Sequence, residues 1–241
     1  MTAAPTDVFG YAGRLTDAEA AKLTALRELL ERSARPHLAT WWEDAHCPAH
    51  LRQEIAALHL EDDPAILGAD GEPRPLYVGF RHLELARFDM SIGTLYGGQV
   101  GMFRTLVRRG GSPAQVERWD PRIRSFDLTG CFALTEPDHG SDVAGGLETT
   151  ATREGDAWRI HGHKRWIGNA ALSEVIVVVA RDTSDDRVKA FLVPRAAEGV
   201  TVRDVTGKIA LRMVRNGDIE LRDVRVPERD RLQRIDSFAD L

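Results

Sequence analysis

A loop at residues 133–145 carries side chains suited to binding a charged or aromatic ligand. It follows a predicted strand and combines two hydroxyl groups, those of Thr135 and Ser141, with two glycines, Gly140 and Gly145. Backbone N–H groups left accessible by glycine, together with hydroxyls, can bind a phosphate or the polar edge of a heteroaromatic ring. Residues 137–140, Pro-Asp-His-Gly, also suit an ordinary β-turn. Spacing alone therefore leaves two interpretations open, an anion-binding loop and a simple turn.

A second candidate segment, residues 164–170, follows this loop after a predicted strand, turn and strand. It contains Trp166. A tryptophan in a sheet is more often a core residue than a ligand contact. The residues around Trp166, in 164–170, decide whether it is a core residue or a ligand contact.

Together the two segments resemble the flavin-binding motifs of the acyl-CoA dehydrogenase family. Residues 133–145 resemble its signature loop, and residues 164–170 resemble its second flavin segment, in the same order and separation. Residues 84–91 add support upstream. Downstream, residues 208–219 are similar to the branch that contains glutaryl-CoA dehydrogenase and the short-chain acyl-CoA oxidases. The resemblance covers nearly the whole chain.

The resemblance implies an FAD site built from both segments. Residues 132–135 would lie along the flavin, with the Thr135 hydroxyl bonding its pyrimidine edge. Ser141 would reach the FAD pyrophosphate or the acyl-CoA. Trp166, with Ile167, would cover the isoalloxazine on the face away from substrate. The expected cofactor-binding residues are Phe132, Ala133, Leu134, Thr135, Ser141, Trp166, Ile167 and Gly168.

Gly168 departs from the family pattern. The usual residue after Trp-Ile is threonine, whose hydroxyl contacts the flavin near N5, and glycine lacks that hydroxyl. A backbone N–H can still donate there, and the similar oxidases also carry glycine. Gly168 therefore argues against a strict dehydrogenase more than it argues against flavin binding. Whether the reduced flavin would react with oxygen, as in an oxidase, stays open.

Arg87 is the candidate substrate contact besides Ser141. In the glutaryl-specific enzymes that this branch resembles, an arginine at this position lies near the distal carboxylate of the acyl chain. The alternative is an ordinary ion pair with a nearby carboxylate, Glu84 or Asp89. Ser91 is a weaker candidate. The histidines at 139, 161 and 163 lack companions at ligand spacing, so we expect no metal.

No catalytic residue can be assigned. In the family, a second helical domain follows the β region and carries a glutamate that removes the α-proton of the thioester while hydride leaves the β-carbon for flavin N5. The sequence stops where that domain should begin. Glu136 is more plausible as a loop or cap residue, whose carboxylate accepts backbone hydrogen bonds, than as the catalytic base.

Three hypotheses follow for the chain as a whole. The first is a subunit of an FAD-dependent dehydrogenase or oxidase acting on acyl-CoA or an acyl carrier, in which a partner chain supplies the C-terminal helical domain and its base. The second is a non-catalytic binding or scaffold subunit that kept the fold and lost the flavin. The third is a fragment of a longer enzyme. Family members are commonly dimers or tetramers, so we expect an oligomer.

Composition limits the partners and the compartment. The chain has 241 residues with a net charge of -5, which favours neither nucleic acid nor an anionic membrane. The longest apolar run, residues 175–180, is too short to span a bilayer. The two cysteines, Cys47 and Cys131, are far apart in sequence and do not indicate a disulfide framework. A protein without disulfides fits a reducing cytoplasm.

The elements that must position these residues change character near residue 128. Thr16, with Glu19 three positions later, predicts a helix N-cap, and leucines at helical spacing follow until Pro36. Further helices are expected, one over 51–60 and two within 78–107, with a short helical turn ending near Asp120 and Pro121. A loop rich in Gly and Pro covers 68–75.

The second half predicts strands. Short runs of Val, Ile, Thr and Trp between Gly or Asp indicate strands near 131–135, 148–153, 158–166, 175–180, 188–193, 200–205 and 218–226. The expected class is α+β. We predict an N-terminal helical domain at 1–128, then a barrel-like or sandwich-like middle β domain with the FAD loop at 129–241, and no C-terminal helical bundle.

Overall fold

A computed structural model describes residues 7–241. They form two compact units, Met1–Gly93, described from Asp7 onward, and Thr94–Leu241. The predicted α+β class is confirmed, because helices dominate the first unit and a curled sheet dominates the second. The predicted boundary between residues 128 and 129 stays a prediction.

Local sequence signals explain where the helices begin. In the first helix, the Thr16 hydroxyl accepts from the Glu19 N–H at 3.2 Å, while the Glu19 carboxylate accepts from the Thr16 N–H at 2.8 Å. This reciprocal capping box is the predicted one. The helices are α1 Asp17–Ser33, α2 Leu38–Glu43, α3 Ala49–Ala56, α4 Pro75–Phe88, α5 Met90–Tyr96, a π-helix Gly97–Arg104, α6 Thr105–Gly110, α7 Pro113–Arg124 and α8 Val143–Gly146.

Two helical predictions need correction. The helical turn expected to end near Asp120 and Pro121 is a longer helix, α7, with Pro121 inside it. It continues because Ile123 in its last turn is fully buried in the core, which offsets the hydrogen bond that proline removes. The stretch predicted to form two helices within 78–107 also contains the π-helical segment Gly97–Arg104.

All of the predicted strands are present, with small shifts at their ends. They are β1 Gly130–Ala133, β2 Thr150–Glu154, β3 Ala157–Ile167, β4 Val175–Asp182, β5 Val188–Pro194, β6 Val200–Asp204 and β7 Gly217–Pro227. The predicted turn at Gly155 joins β2 to β3, with a φ of 63° that glycine adopts without strain. Within the described residues the strands form one sheet, in the order β1-β4-β2-β3-β7-β6, with β5 paired to β4.

The central strand β4 is buried on both faces. Its side chains alternate between two apolar clusters, with Ile176 and Val178 on one side and Val177 and Val179 on the other. Strands β3 and β7 contribute to the first cluster, and the helices between residues 103 and 123 contribute to the second. This double burial explains why β4 is a continuous apolar run.

Close packing of the π-helix on β1 fixes the strand that leads into the candidate loop. A Cβ added to Gly130 would lie 2.2 Å from the ring of Phe103, so only glycine permits this approach. Because Phe103 is fully buried, the ring has little room to move aside. The start of β1 is therefore tightly constrained.

Neither cysteine is cross-linked: Cys47 and Cys131 are free and buried. Burial raises the pKa of the Cys131 thiol to about 12 and that of Cys47 to about 11, which keeps both protonated and unreactive. Among residues 7–241, no helix has the length and apolar content needed to cross a bilayer.

Candidate functional site

The two candidate segments lie side by side. The backbone N–H of Arg165 donates a hydrogen bond to the carbonyl oxygen of Thr135, with an N···O distance of 2.8 Å. This bond joins the loop that leaves β1 to the end of β3. A shared site requires the two stretches to meet, and this contact brings them together.

Gln99 of the π-helix anchors the start of β1. Its amide nitrogen donates to the carbonyl oxygens of Ile123 and Leu128, at 3.1 and 2.8 Å, and its amide oxygen accepts from the Gly130 N–H at 3.0 Å. Gln99 is buried, so these three bonds satisfy a polar group that would otherwise be costly inside the core. They hold β1 at one end, and the candidate loop begins at the other.

Trp166 sits on a bulge that turns its side chain toward solvent. The pairing of β3 with β7 shifts register between Lys164 and Ile167, and Trp166 has a φ of 62°. Such a conformation costs an aromatic residue about 1 kcal/mol or more, and bulges commonly redirect a side chain near a site. The indole is 54% exposed. The Arg165 guanidinium lies 5.3 Å from its ring centroid.

A loop between β6 and β7 supports this bulge. The side-chain amide of Asn216 donates to the Trp166 carbonyl oxygen at 3.0 Å. Asn216 is oriented by Lys208, whose ammonium group donates to the Asn216 amide oxygen and to the Leu211 carbonyl oxygen, each at 2.7 Å. Burial lowers the pKa of Lys208, and its contacts are to neutral oxygens. The 208–219 motif thus contributes structural support to Trp166.

The candidate polar contacts are open to a ligand. Thr135 is half-buried and Ser141 is exposed. Within residues 7–241, neither hydroxyl has a protein hydrogen-bond partner. At Gly168, an added Cβ would lie 3.8 Å from Val214 and 3.9 Å from Asn216, which is ordinary contact. The glycine is therefore not required by crowding, and a side chain would fit there.

The predicted cofactor-binding residues with apolar side chains fall into two groups, half-buried and buried. Phe132 and Leu134 are half-buried and pack at the edge of the second apolar cluster. Ala133 and Ile167 belong to the first cluster and are 0% and 4% exposed. Any cofactor contact from Ala133 or Ile167 would therefore come from backbone atoms rather than from side chains.

A buried ion pair links the same two segments, and sequence reasoning did not single it out. The Lys164 ammonium lies 2.8 Å from a Glu136 carboxylate oxygen and 3.1 Å from the Leu134 carbonyl oxygen. The carboxylate also accepts from the N–H groups of Glu148 and Thr149 at 2.7 and 2.9 Å. The expected role of Glu136 as an acceptor of backbone hydrogen bonds is confirmed.

The electrostatics of this pair follow from its burial. Removal from water lowers the pKa of Lys164 to about 8, against the opposing pull of Glu136. For Glu136, burial raises the pKa, but the Lys164 charge and the hydrogen bonds outweigh it and the net pKa is lowered. Alternation along β3 could have revealed this lysine, because Trp158, Ile160 and Lys164 share an inward-facing parity.

His139 is a loop residue, as expected. Its ring nitrogens lie 2.8 Å from Asp142 and 3.4 Å from Glu148, and hydrogen bonding to Asp142 raises its pKa. In the part of the chain that the structure describes, no group of three or more His, Cys, Asp or Glu side chains is arranged to hold a metal ion.

Arg87 lies in the first unit and is engaged with a carboxylate. Its guanidinium is 3.3 Å from buried Glu84, which also pairs with Arg27 through two hydrogen bonds of 2.9 and 2.6 Å. This is the ion-pair alternative considered for Arg87. Ser91 is fully buried, and its hydroxyl has no partner within residues 7–241. A substrate role for Arg87 stays a prediction.

Family models match both halves of the chain. The acyl-CoA dehydrogenase N-terminal domain matches residues 16–127, and the acyl-CoA dehydrogenase middle domain matches residues 131–224. The chain belongs to the acyl-CoA dehydrogenase family.

Individual relatives agree with this assignment. The human mitochondrial short-chain specific acyl-CoA dehydrogenase is 31% identical over 211 residues, which are 86% of this chain and 51% of the relative. Acyl-coenzyme A oxidase 4 of Candida tropicalis is 38% identical over 167 residues, 61% of this chain and 23% of the oxidase. A crystal structure of a glutaryl-CoA dehydrogenase from Mycobacterium smegmatis in complex with FADH2 superposes with a TM-score of 0.89 at 30% identity, covering 98% of this chain and 61% of that one. The chain thus spans about half the length of the human relative.

Proposed function

We propose that this chain is part of an FAD-dependent oxidoreductase that oxidises an acyl thioester between its α and β carbons. The hydrogen bond from the Arg165 N–H to the Thr135 carbonyl oxygen is the observation that carries the proposal, because it joins the two flavin segments. The similar M. smegmatis enzyme holds FADH2, which supports FAD as the cofactor.

The exposed groups at this junction suit a flavin. FAD offers a broad apolar ring system with a polar pyrimidine edge and an anionic pyrophosphate. The exposed Trp166 indole provides an aromatic face, and the unengaged Thr135 and Ser141 hydroxyls provide hydrogen-bonding groups. Backbone atoms of residues 132–134, 167 and 168 would complete the contacts.

Bound FAD would accept hydride from the β-carbon of the substrate while a base removes the α-proton. This chain's residues would hold and orient the flavin, and Ser141 would also contact the acyl-CoA or acyl-carrier thioester. We assign the base to a C-terminal helical domain, provided by a partner chain or by a longer form of this protein, in an oligomeric assembly. The two free, buried thiols fit a cytoplasmic location.

A non-catalytic scaffold subunit is the second candidate. The observation that favours it is the engagement of Glu136, which holds its carboxylate in contacts within the protein. A carboxylate must lie within hydrogen-bond reach of the proton that it removes. Glu136, the carboxylate nearest to Thr135 in sequence, is committed to Lys164 and to two backbone N–H groups.

An absorption spectrum separates the two functions. The chain is coexpressed with the products of neighbouring reading frames and purified, and we expect a yellow complex whose flavin band bleaches anaerobically with an acyl-CoA. A colourless complex that takes up no added FAD would refute the enzymatic function and favour the scaffold.

The Thr135→Val variant tests the site itself. Removing the hydroxyl while keeping the side-chain shape should weaken FAD binding about fivefold, since one hydrogen bond contributes about 1 kcal/mol. Thr201→Val is the matched control, because Thr201 is exposed on β6. Equal FAD affinities for the two variants would remove Thr135 from the site.

A further inference from the structure

Lys164 touches the loop after β1 at two points that flank Thr135. Its ammonium binds the Leu134 carbonyl oxygen, one residue before Thr135, and the Glu136 carboxylate, one residue after it. The next residue of β3, Arg165, binds the Thr135 carbonyl oxygen itself. Two consecutive residues of one segment therefore hold three consecutive residues of the other.

Glu136 extends these contacts from β3 to the far end of the loop. Its carboxylate accepts from the N–H groups of Glu148 and Thr149, and its own N–H donates to the His139 carbonyl oxygen at 3.0 Å. The single carboxylate thus ties together Lys164 on β3 and both ends of the loop that carries Ser141.

Stability alone does not account for such a pair. Lys164 and Glu136 are 0% and 4% exposed, so both charges have lost their hydration. Replacing a buried ion pair with apolar side chains is often neutral or stabilising, whereas its directional bonds fix the positions of the groups that it joins. A positional role is consistent with the location of this pair, between the two flavin segments.

We propose that Lys164, together with Glu136, is a positioning pair that fixes the spacing of the 132–135 segment relative to Trp166, and so preorganises the flavin site. The inference rests on the proposed function for its link to FAD. Neither residue touches reacting atoms in this role. Their effect passes through the backbone of Thr135 and Trp166.

Another buried lysine of the same unit provides a matched control. Lys189 on β5 is 7% exposed and lies 3.5 Å from Asp182, which is 3% exposed. It also contacts Asp185 and Asp236, at 3.4 and 3.3 Å. This cluster lies at the β4–β5 turn and contains no residue of either flavin segment.

The test compares Lys164→Met with Lys189→Met in the full chain, coexpressed with the partner that yields the yellow complex. FAD affinity and flavin spectrum are measured well below the unfolding temperature, and amide hydrogen exchange is measured at Arg165. We expect Lys164→Met to weaken FAD binding at least tenfold and to accelerate exchange at Arg165 by a similar factor. Lys189→Met should leave both within twofold of wild type.

Three results would be decisive. The positioning role would be overturned if Lys164→Met kept the FAD affinity and the Arg165 exchange rate of wild type. Equal changes in both lysine variants would overturn it too.

If Lys164→Met does not fold, the double variant Glu136→Gln/Lys164→Met removes the unpaired buried charge and is measured instead. If the wild-type protein binds no FAD, the proposed function fails, and Arg165 exchange in the flavin-free variants alone decides whether the pair holds the segments together.

Discussion

The two units each bury a carboxylate, but they neutralise it in different ways. Glu84 in the first unit and Glu136 in the second are 3% and 4% exposed. Glu84 pairs with Arg27, whose side chain is 46% exposed, and with partly exposed Arg87. Glu136 pairs with Lys164, which is completely buried.

The difference teaches that burial of the partner, rather than of the carboxylate, sets the cost of losing the pair. An arginine at the surface returns to water when its carboxylate is removed, whereas a buried lysine retains an uncompensated charge or loses its proton. The first arrangement tolerates substitution. The second ties the carboxylate to one position, which suits a segment that we propose contacts FAD.

Glu136→Gln should therefore have the largest effect. Loss of the charge leaves Lys164 unpaired, and the amide can accept only one of the two backbone hydrogen bonds at its former position. We expect a loss of about 3 kcal/mol in the free energy of unfolding, measured by urea denaturation. The control is Glu84→Gln, for which about 1 kcal/mol is expected because both arginines remain hydrated. Equal losses would contradict the comparison.

The pH dependence of stability sharpens the same contrast. Burial lowers the pKa of Lys164 to about 8 in the folded protein, whereas the pKa of an unfolded lysine is about 10.4. Between those values the unfolded chain holds a proton that the folded protein has lost, so stability should rise with pH. The slope for one proton is at most about 1.4 kcal/mol per pH unit.

The free energy of unfolding is measured against pH for wild type and for the Glu136→Gln/Lys164→Met double variant, in which neither group titrates. The slope is read from the difference between the two free energies. Contributions from other residues then cancel. A difference that is flat between pH 8 and 10 would show that Lys164 keeps its proton and remains a charged partner of Glu136 throughout.

Arg87→Ala should have the smallest effect on stability, about 0.5 kcal/mol, because Glu84 keeps its two hydrogen bonds to Arg27. Its effect on specificity tests the substrate role. If Arg87 contacts a distal carboxylate, kcat/KM falls for a dicarboxylic acyl-CoA and not for a monocarboxylic one of equal length. Parallel changes for the two substrates would leave Arg87 as an ion-pair residue only.

Much of the fold followed from local sequence signals. Thr16 and Glu19 predicted the start of α1, and short runs rich in Val, Ile, Thr and Trp between Gly or Asp indicated most of the strands. The extension of α7 past Pro121 was missed, because burial of Ile123 is a tertiary effect that local propensity does not contain.

The candidate site was predictable from motifs only in part. Residues 133–145 and 164–170 identified the segments, and their contact through Arg165 is seen in the structure. The link between Lys164 and Glu136 depends on which face of β3 points inward and on a neighbour distant in sequence. The supporting bonds of Asn216 and Lys208 likewise require knowledge of how the loop before β7 folds.

The pairing of β3 with β7 has a consequence for synthesis on the ribosome. Strand β7 is the neighbour that holds β3 through the bulge at Trp166, and Asn216 just before it binds the Trp166 carbonyl oxygen. Both candidate flavin segments are translated before these supports, because they precede Asn216 and β7 in the chain. The bulge at Trp166 can therefore be held in place only after β7 has been made. If the proposed site binds FAD, we expect binding to follow the synthesis of β7.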